Sequence, residues 1–215
     1  MRKKAIAHLA PLAFLLGLGC GNSNVSSTDD ARRAYLGLDG SIDKAIGLGF
    51  KGFNDAQSAN ITAQSAAGAM SGTLTVTGQV DQGASSNKQM RLAGAMTAYT
   101  DVAGFTCATD TSADAGTPAP ALNLSLQGVP TGTLSGSLDG TFHMSGDLSG
   151  PVTLSLTSTG DLEPNADAGS AGGVIRKPGT THITGTATSP AGTFAVDVTS
   201  SGIAPPAAGH LPWLS

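Results

Sequence analysis

Charged side chains are scarce in this sequence, at 12% of 215 residues. Such a low charge content is poorly suited to charge-driven disorder. Aromatics are few as well: six Phe, two Tyr and one Trp. Two cysteines, Cys20 and Cys107, cannot build a disulfide-stapled framework. Basic runs are missing, since Arg32-Arg33 and Arg176-Lys177 are isolated pairs. A phosphate-binding surface needs a positive patch, so nucleic-acid binding is not expected. Beyond the first twenty residues no apolar run reaches the length of a membrane-crossing helix. No serine sits in a Gly-x-Ser-x-Gly turn, and no glycine-rich phosphate loop or compact metal-ligand spacing occurs. The sequence therefore points to a non-enzymatic protein with no cofactor and no metal.

What is abundant is Gly, with 30 residues, together with Ser, Thr and Ala. Glycine costs extra backbone entropy on folding, and small polar residues bury little apolar surface. Stability then has to come from paired backbone groups and a thin core of Leu, Val and Ala.

The N-terminus is a separate signal. Arg2, Lys3 and Lys4 precede an apolar stretch from Ala5 to Leu18, and small residues lead to Gly19-Cys20. This is the layout of a secretory signal peptide. The run Leu16-Gly17-Leu18-Gly19-Cys20 resembles the lipobox of bacterial lipoproteins, with Gly19 at the small position before the cut and Gly17 where Leu, Val or Ile is usual. The resemblance covers the first twenty residues. It implies a lipoprotein precursor whose Cys20 thiol receives a diacylglycerol and becomes the new N-terminus, with further acylation (palmitate) tying it stably to a membrane. Gly21 in place of Asp after the cysteine points, by the same resemblance, to the outer membrane. Loss of residues 1–19 leaves eight Lys or Arg against fifteen Asp or Glu, a formal charge of −7.

Polar, small residues from 20 to about 38 read as the lipidated cysteine and a flexible tether. Ile42, Ile46, Phe50 and Phe53 then recur at helical spacing, which predicts one helix over about Ser41–Asn54, capped by Asp39 or Ser41. Gly47, Gly49 and Gly52 weaken it by roughly 1 kcal/mol each, so it needs a sheet to pack on.

From Ser71 the period changes to two. Leu74, Val76 and Val80 alternate with Thr73, Thr75 and Thr77, and Met90, Leu92 and Met96 alternate with polar neighbours. Tyr99 falls on the outer parity of that second strand. A break from Asp101 to Pro120 is long for a loop and suggests a short strand around Val102–Cys107. Leu122, Leu124, Leu126, Leu134, Leu138, Phe142, Met144, Leu148, Val152, Leu154 and Leu156 are all even-numbered, and the odd positions are almost all polar. Parity persists only across odd-length loops or through a continuing strand. Asp139-Gly140-Thr141 and Ser149-Gly150-Pro151 are the expected three-residue turns, giving strands near 121–127, 132–138, 142–148 and 152–158. A second polar break follows, from Asp161 to Pro178. Strands near 183–188 and 194–198 close the series.

The expected fold is mainly β: an antiparallel sheet of about eight strands as barrel, half-barrel or sandwich, with one N-terminal helix. The domain spans 39–204, followed by an extended tail over 205–215. The leading functional expectation is a cell-envelope lipoprotein acting as a binding or adhesion module, with the membrane and an envelope protein as partners. The alternatives are a carrier of an apolar small molecule and an envelope hydrolase. A carrier cavity would be lined by Ile46, Phe50, Phe53, Leu92, Met96, Phe142 and Met144, with small residues such as Gly94 leaving room. His143 and His182 lie on polar strand faces and read as solvated. Cys107 reads as a small buried residue.

Overall fold

A computed structural model describes residues 24–81, 84–109, 119–166 and 173–200. Cys20, the expected signal segment and the expected C-terminal tail lie outside the described residues. The chain order is α1 (Thr28–Leu36), α2 (Asp39–Asp55), β1 (Asn60–Ala67), β2 (Ser71–Val80), β3 (Lys88–Val102), β4 (Phe105–Ala108), β5 (Ala121–Gln127), β6 (Thr133–Gly146), β7 (Gly150–Pro164), β8 (Val174–Arg176), β9 (Thr181–Ser189) and β10 (Gly192–Ser200).

The fold is mainly β and antiparallel throughout, in one ten-stranded sheet rather than about eight strands. Three strands are added, β1, β4 and β8, while the expected strands 132–138 and 142–148 merge into β6. β4 and β5 share one lane: β3 pairs with both, and so does β6, which closes a four-strand ring of pairings. That lane is a single strand interrupted between Thr109 and Pro120. β8 is a three-residue strand that pairs with the far end of β7, from Leu162 to Pro164, inside what the sequence reads as a polar break. β1 is a strand that the sequence pattern does not announce.

Even-parity residues build the core. Leu122, Leu124, Leu126, Leu134, Leu138, Phe142, Val152, Leu154 and Leu156 are all buried. The expected turn at Asp139-Gly140-Thr141 is strand interior, because Asp139 pairs with Ser155 and Thr141 with Thr153. Parity survives there through a continuing strand. The following turn is shifted, to 147–149, and is odd in length, so parity survives again.

Two helices replace the single expected one. α2 runs from Asp39 to Asp55, close to the expected range, but its N-cap is Leu38, which makes no side-chain cap. α1 occupies part of the expected tether. Ser27 caps it by accepting from the Asp30 amide at 3.1 Å, and Asp29 and Asp30 suit its N-terminal dipole. Val25 is fully buried, so the chain is already fixed to the domain there.

α2 packs on β1, β2, β3 and β8, and α1 on β10. Of the glycines that weaken α2, Gly49 and Gly52 let it lie close, whereas Gly47 faces open space. A Cβ on Gly49 would stand 3.3 Å from Leu92 and Met90, and one on Gly52 would stand 2.8 Å from Ile61.

Tyr99 is buried, against its expected outer position. The register of β2 and β3 slips between Ser71 and Thr73, and Ala98 adopts φ +47°. This bulge rotates Tyr99 inward. Opposite it, Gly72 has φ +72°, and a Cβ there would lie 2.1 Å from the Ala98 carbonyl oxygen, so only glycine fits.

Candidate functional site

Between α2 and the sheet lies a small apolar void of about 30 Å3. Leu38, Ser41 and Ala45 form its helical wall; Leu74, Val76, Leu92, Gly94 and Met96 come from β2 and β3. Pro120, Leu122, Leu138 and Phe142 complete it. The Ser41 hydroxyl donates to the Leu38 carbonyl at 2.6 Å, which satisfies its polar atom.

The void lies beside the interrupted lane. Gly94 donates its amide to the Pro120 carbonyl, and Met96 exchanges hydrogen bonds with Thr109. Gly94 and Met96 on one side, and Leu138 and Phe142 on the other, flank the place where the lane breaks. Of the residues expected to line a cavity, Leu92, Met96 and Phe142 do so. Ile46, Phe50 and Met144 are buried in the same core but away from the void, and Phe53 is packed at its margin.

Two buried ionic clusters hold α2 in place. Arg176, at the end of β8, is 2% exposed. Its Nε and Nη2 donate to the two Asp43 carboxylate oxygens at 3.0 and 2.6 Å. Its Nη1 donates to Asp39 Oδ1 at 2.7 Å and to the Tyr35 hydroxyl at 3.1 Å. Tyr35 and Ser200 also donate to Asp39, each at 2.6 Å. Burial opposes the Arg176 charge, but the Asp43 hydrogen bonds and the Asp39 charge hold its pKa above the ordinary guanidinium value. Burial first, and then the Asp39 charge, push the Tyr35 hydroxyl up, so it stays a donor.

The second cluster grips the neighbouring helical position. Lys44 Nζ donates to Asp101 Oδ1 at 2.6 Å and to the Ala67 carbonyl at 3.1 Å. Asp101, 5% exposed, also accepts from the Tyr99 hydroxyl at 2.5 Å and the Ala69 amide at 2.7 Å. Lys44 also sits over the Tyr99 ring, 5.2 Å from its centroid. Neither cluster is visible in sequence spacing. The one local signal is the charge of Asp43 and Lys44 on the expected helix; Arg176 and Asp101 fall in segments that the sequence reads as breaks.

Cys107 is buried and free. Burial, helped by the Asp101 charge, pushes its thiol up to about 12. His143 is exposed on β6, and His182 is exposed on β9 against Asp197 at 2.8 Å. Among the described residues no cluster of His, Cys, Asp or Glu is arranged to hold a metal ion. The outer face carries hydroxyls in register: Thr141, Thr153, Thr188 and Thr193 form one row across β6, β7, β9 and β10.

Comparison with known proteins finds no match among family models, curated proteins or solved structures.

Proposed function

We propose that the protein is a non-enzymatic lipoprotein of the cell envelope, anchored through Cys20 at the outer membrane, that binds an apolar ligand inside a half-barrel. α2 packs on β1, β2, β3 and β8, and the two ionic clusters tie the helix to the sheet. The observation that carries this reading is the largely apolar void beside the interrupted lane. At about 30 Å3 it receives the end of an alkyl chain or a small apolar molecule, not a whole acyl chain. Native mass spectrometry of the mature domain, incubated with envelope lipids, tests the reading. A reproducible apolar adduct that disappears in Ala45→Leu supports it. A clean protein mass, or an adduct unchanged by that substitution, counts against it.

A second reading, adhesion through the outer face, is favoured by the rows of Ser and Thr across β6, β7, β9 and β10. Retention on purified envelope polymer, lost in a Thr153→Lys, Thr188→Lys variant, would favour it over the first.

A further inference from the structure

We infer that the sheet end formed by the β1–β2, β3–β4, β6–β7 and β9–β10 turns lies against the bilayer, with Met70 touching lipid. The inference rests on the proposed lipidation of Cys20. Its geometric basis is the short distance between that residue and the first fixed point of the domain. Five Cα–Cα steps separate Cys20 from Val25, which span at most about 18 Å.

Val25 is fully buried, and its carbonyl accepts from Ser189 Oγ at 2.6 Å. The Asn24 side chain lies against Gly150, with Oδ1 2.6 Å from where a Cβ would stand. Ser189 ends β9 and Gly150 begins β7. Because the strands alternate in direction, the same sheet end carries the turns at 68–70, 103–104, 147–149 and 190–191. A lipid on Cys20 therefore brings this end, and not the opposite one, to the membrane.

The surface suits that contact. Of the residues in these four turns only Asp147 is charged, and it is paired with Arg33 at 3.4 Å. Met70, at the β1–β2 turn, is 57% exposed and is the only exposed large hydrophobic side chain among the described residues. Its amide donates to the Thr100 carbonyl at 2.9 Å, which ties the backbone of this turn to β3. Single exposed apolar residues are ordinary on proteins. The weight here comes from its position at the anchored end. The opposite end carries Asp81, Glu163 and Lys177 instead.

The test uses the full mature lipoprotein in vesicles of phosphatidylethanolamine and phosphatidylglycerol. A bimane fluorophore is placed at Met70→Cys or, at the opposite end, at Thr131→Cys; Cys107 is buried and Cys20 is acylated. Intact mass reports the lipid, and a spin-labelled lipid quenches any fluorophore in contact with the bilayer. A lipid mass together with loss of emission at 70 and none at 131 is the expected result. A lipid mass with no quenching at 70, or with equal quenching at both positions, overturns the orientation and leaves the anchor intact. Absence of the lipid mass overturns the anchor, and the inference with it.

Discussion

Replacing Arg176 by Met takes the cation out of a cluster that contains two carboxylates. Asp43 has a side-chain exposure of 1% and Asp39 one of 13%. Asp43 would lose both of its hydrogen bonds from the Arg176 side chain and keep only the one from the residue 176 backbone amide. Asp39 would keep those from Tyr35 and Ser200. The uncompensated charge therefore falls mainly on Asp43. Removing one partner of a buried pair costs about 3–5 kcal/mol, a large share of the roughly 5–15 kcal/mol that holds a domain together. With a urea slope of about 2 kcal/mol/M, the midpoint should fall by about 2 M. The double variant Arg176→Met, Asp43→Leu removes both charges and should recover much of the loss, since apolar replacement of a whole pair is often close to neutral. The assay is equilibrium urea unfolding followed by circular dichroism and Trp213-independent tyrosine emission, with coincident transitions as the check on two-state behaviour. A single-variant loss below about 1 kcal/mol, or strict additivity in the double variant, would refute the claim that this pair is buried and coupled.

Asp101→Ala should cost about 3 kcal/mol in the same assay, because it leaves Lys44 with only the Ala67 carbonyl and the Tyr99 hydroxyl and Ala69 amide without their acceptor. On α2, Gly47→Ala should stabilise by up to about 1 kcal/mol, since a Cβ there meets nothing within 4 Å. Gly52→Ala should instead destabilise by about 1–3 kcal/mol as the helix is forced off Ile61; equal effects of the two substitutions would contradict the packing described. Cys107 should resist alkylation at pH 8 in the folded protein and react once it is unfolded. Its thiol pKa is raised to about 12 from 9.0, so the folded state keeps the proton. Its contribution to stability is complete below about pH 9 and is lost as pH rises from 9 towards 12, which a pH series of unfolding midpoints checks.

The sequence alone determined the β class, the buried parity from Leu122 to Leu156 and the main helix, because alternation and helical periodicity are local properties of neighbouring residues. It also told against nucleic-acid binding and a disulfide framework, because those depend on counts and charge. Only the tertiary structure decided the rest. β6 runs unbroken through Asp139-Gly140-Thr141 because β7 pairs with all of it, although Asp-Gly is good turn chemistry in isolation. Tyr99 turns inward because of a bulge fitted to Gly72 on another strand. Three of the seven expected cavity residues reach the void, because α2's height over the sheet selects which ones do. That height depends on Arg176 meeting Asp43 across 133 positions of sequence. No local pattern encodes such a pairing. It exists only once the strand registers have brought β8 beneath the helix, where a charge removed from water has to find its partner.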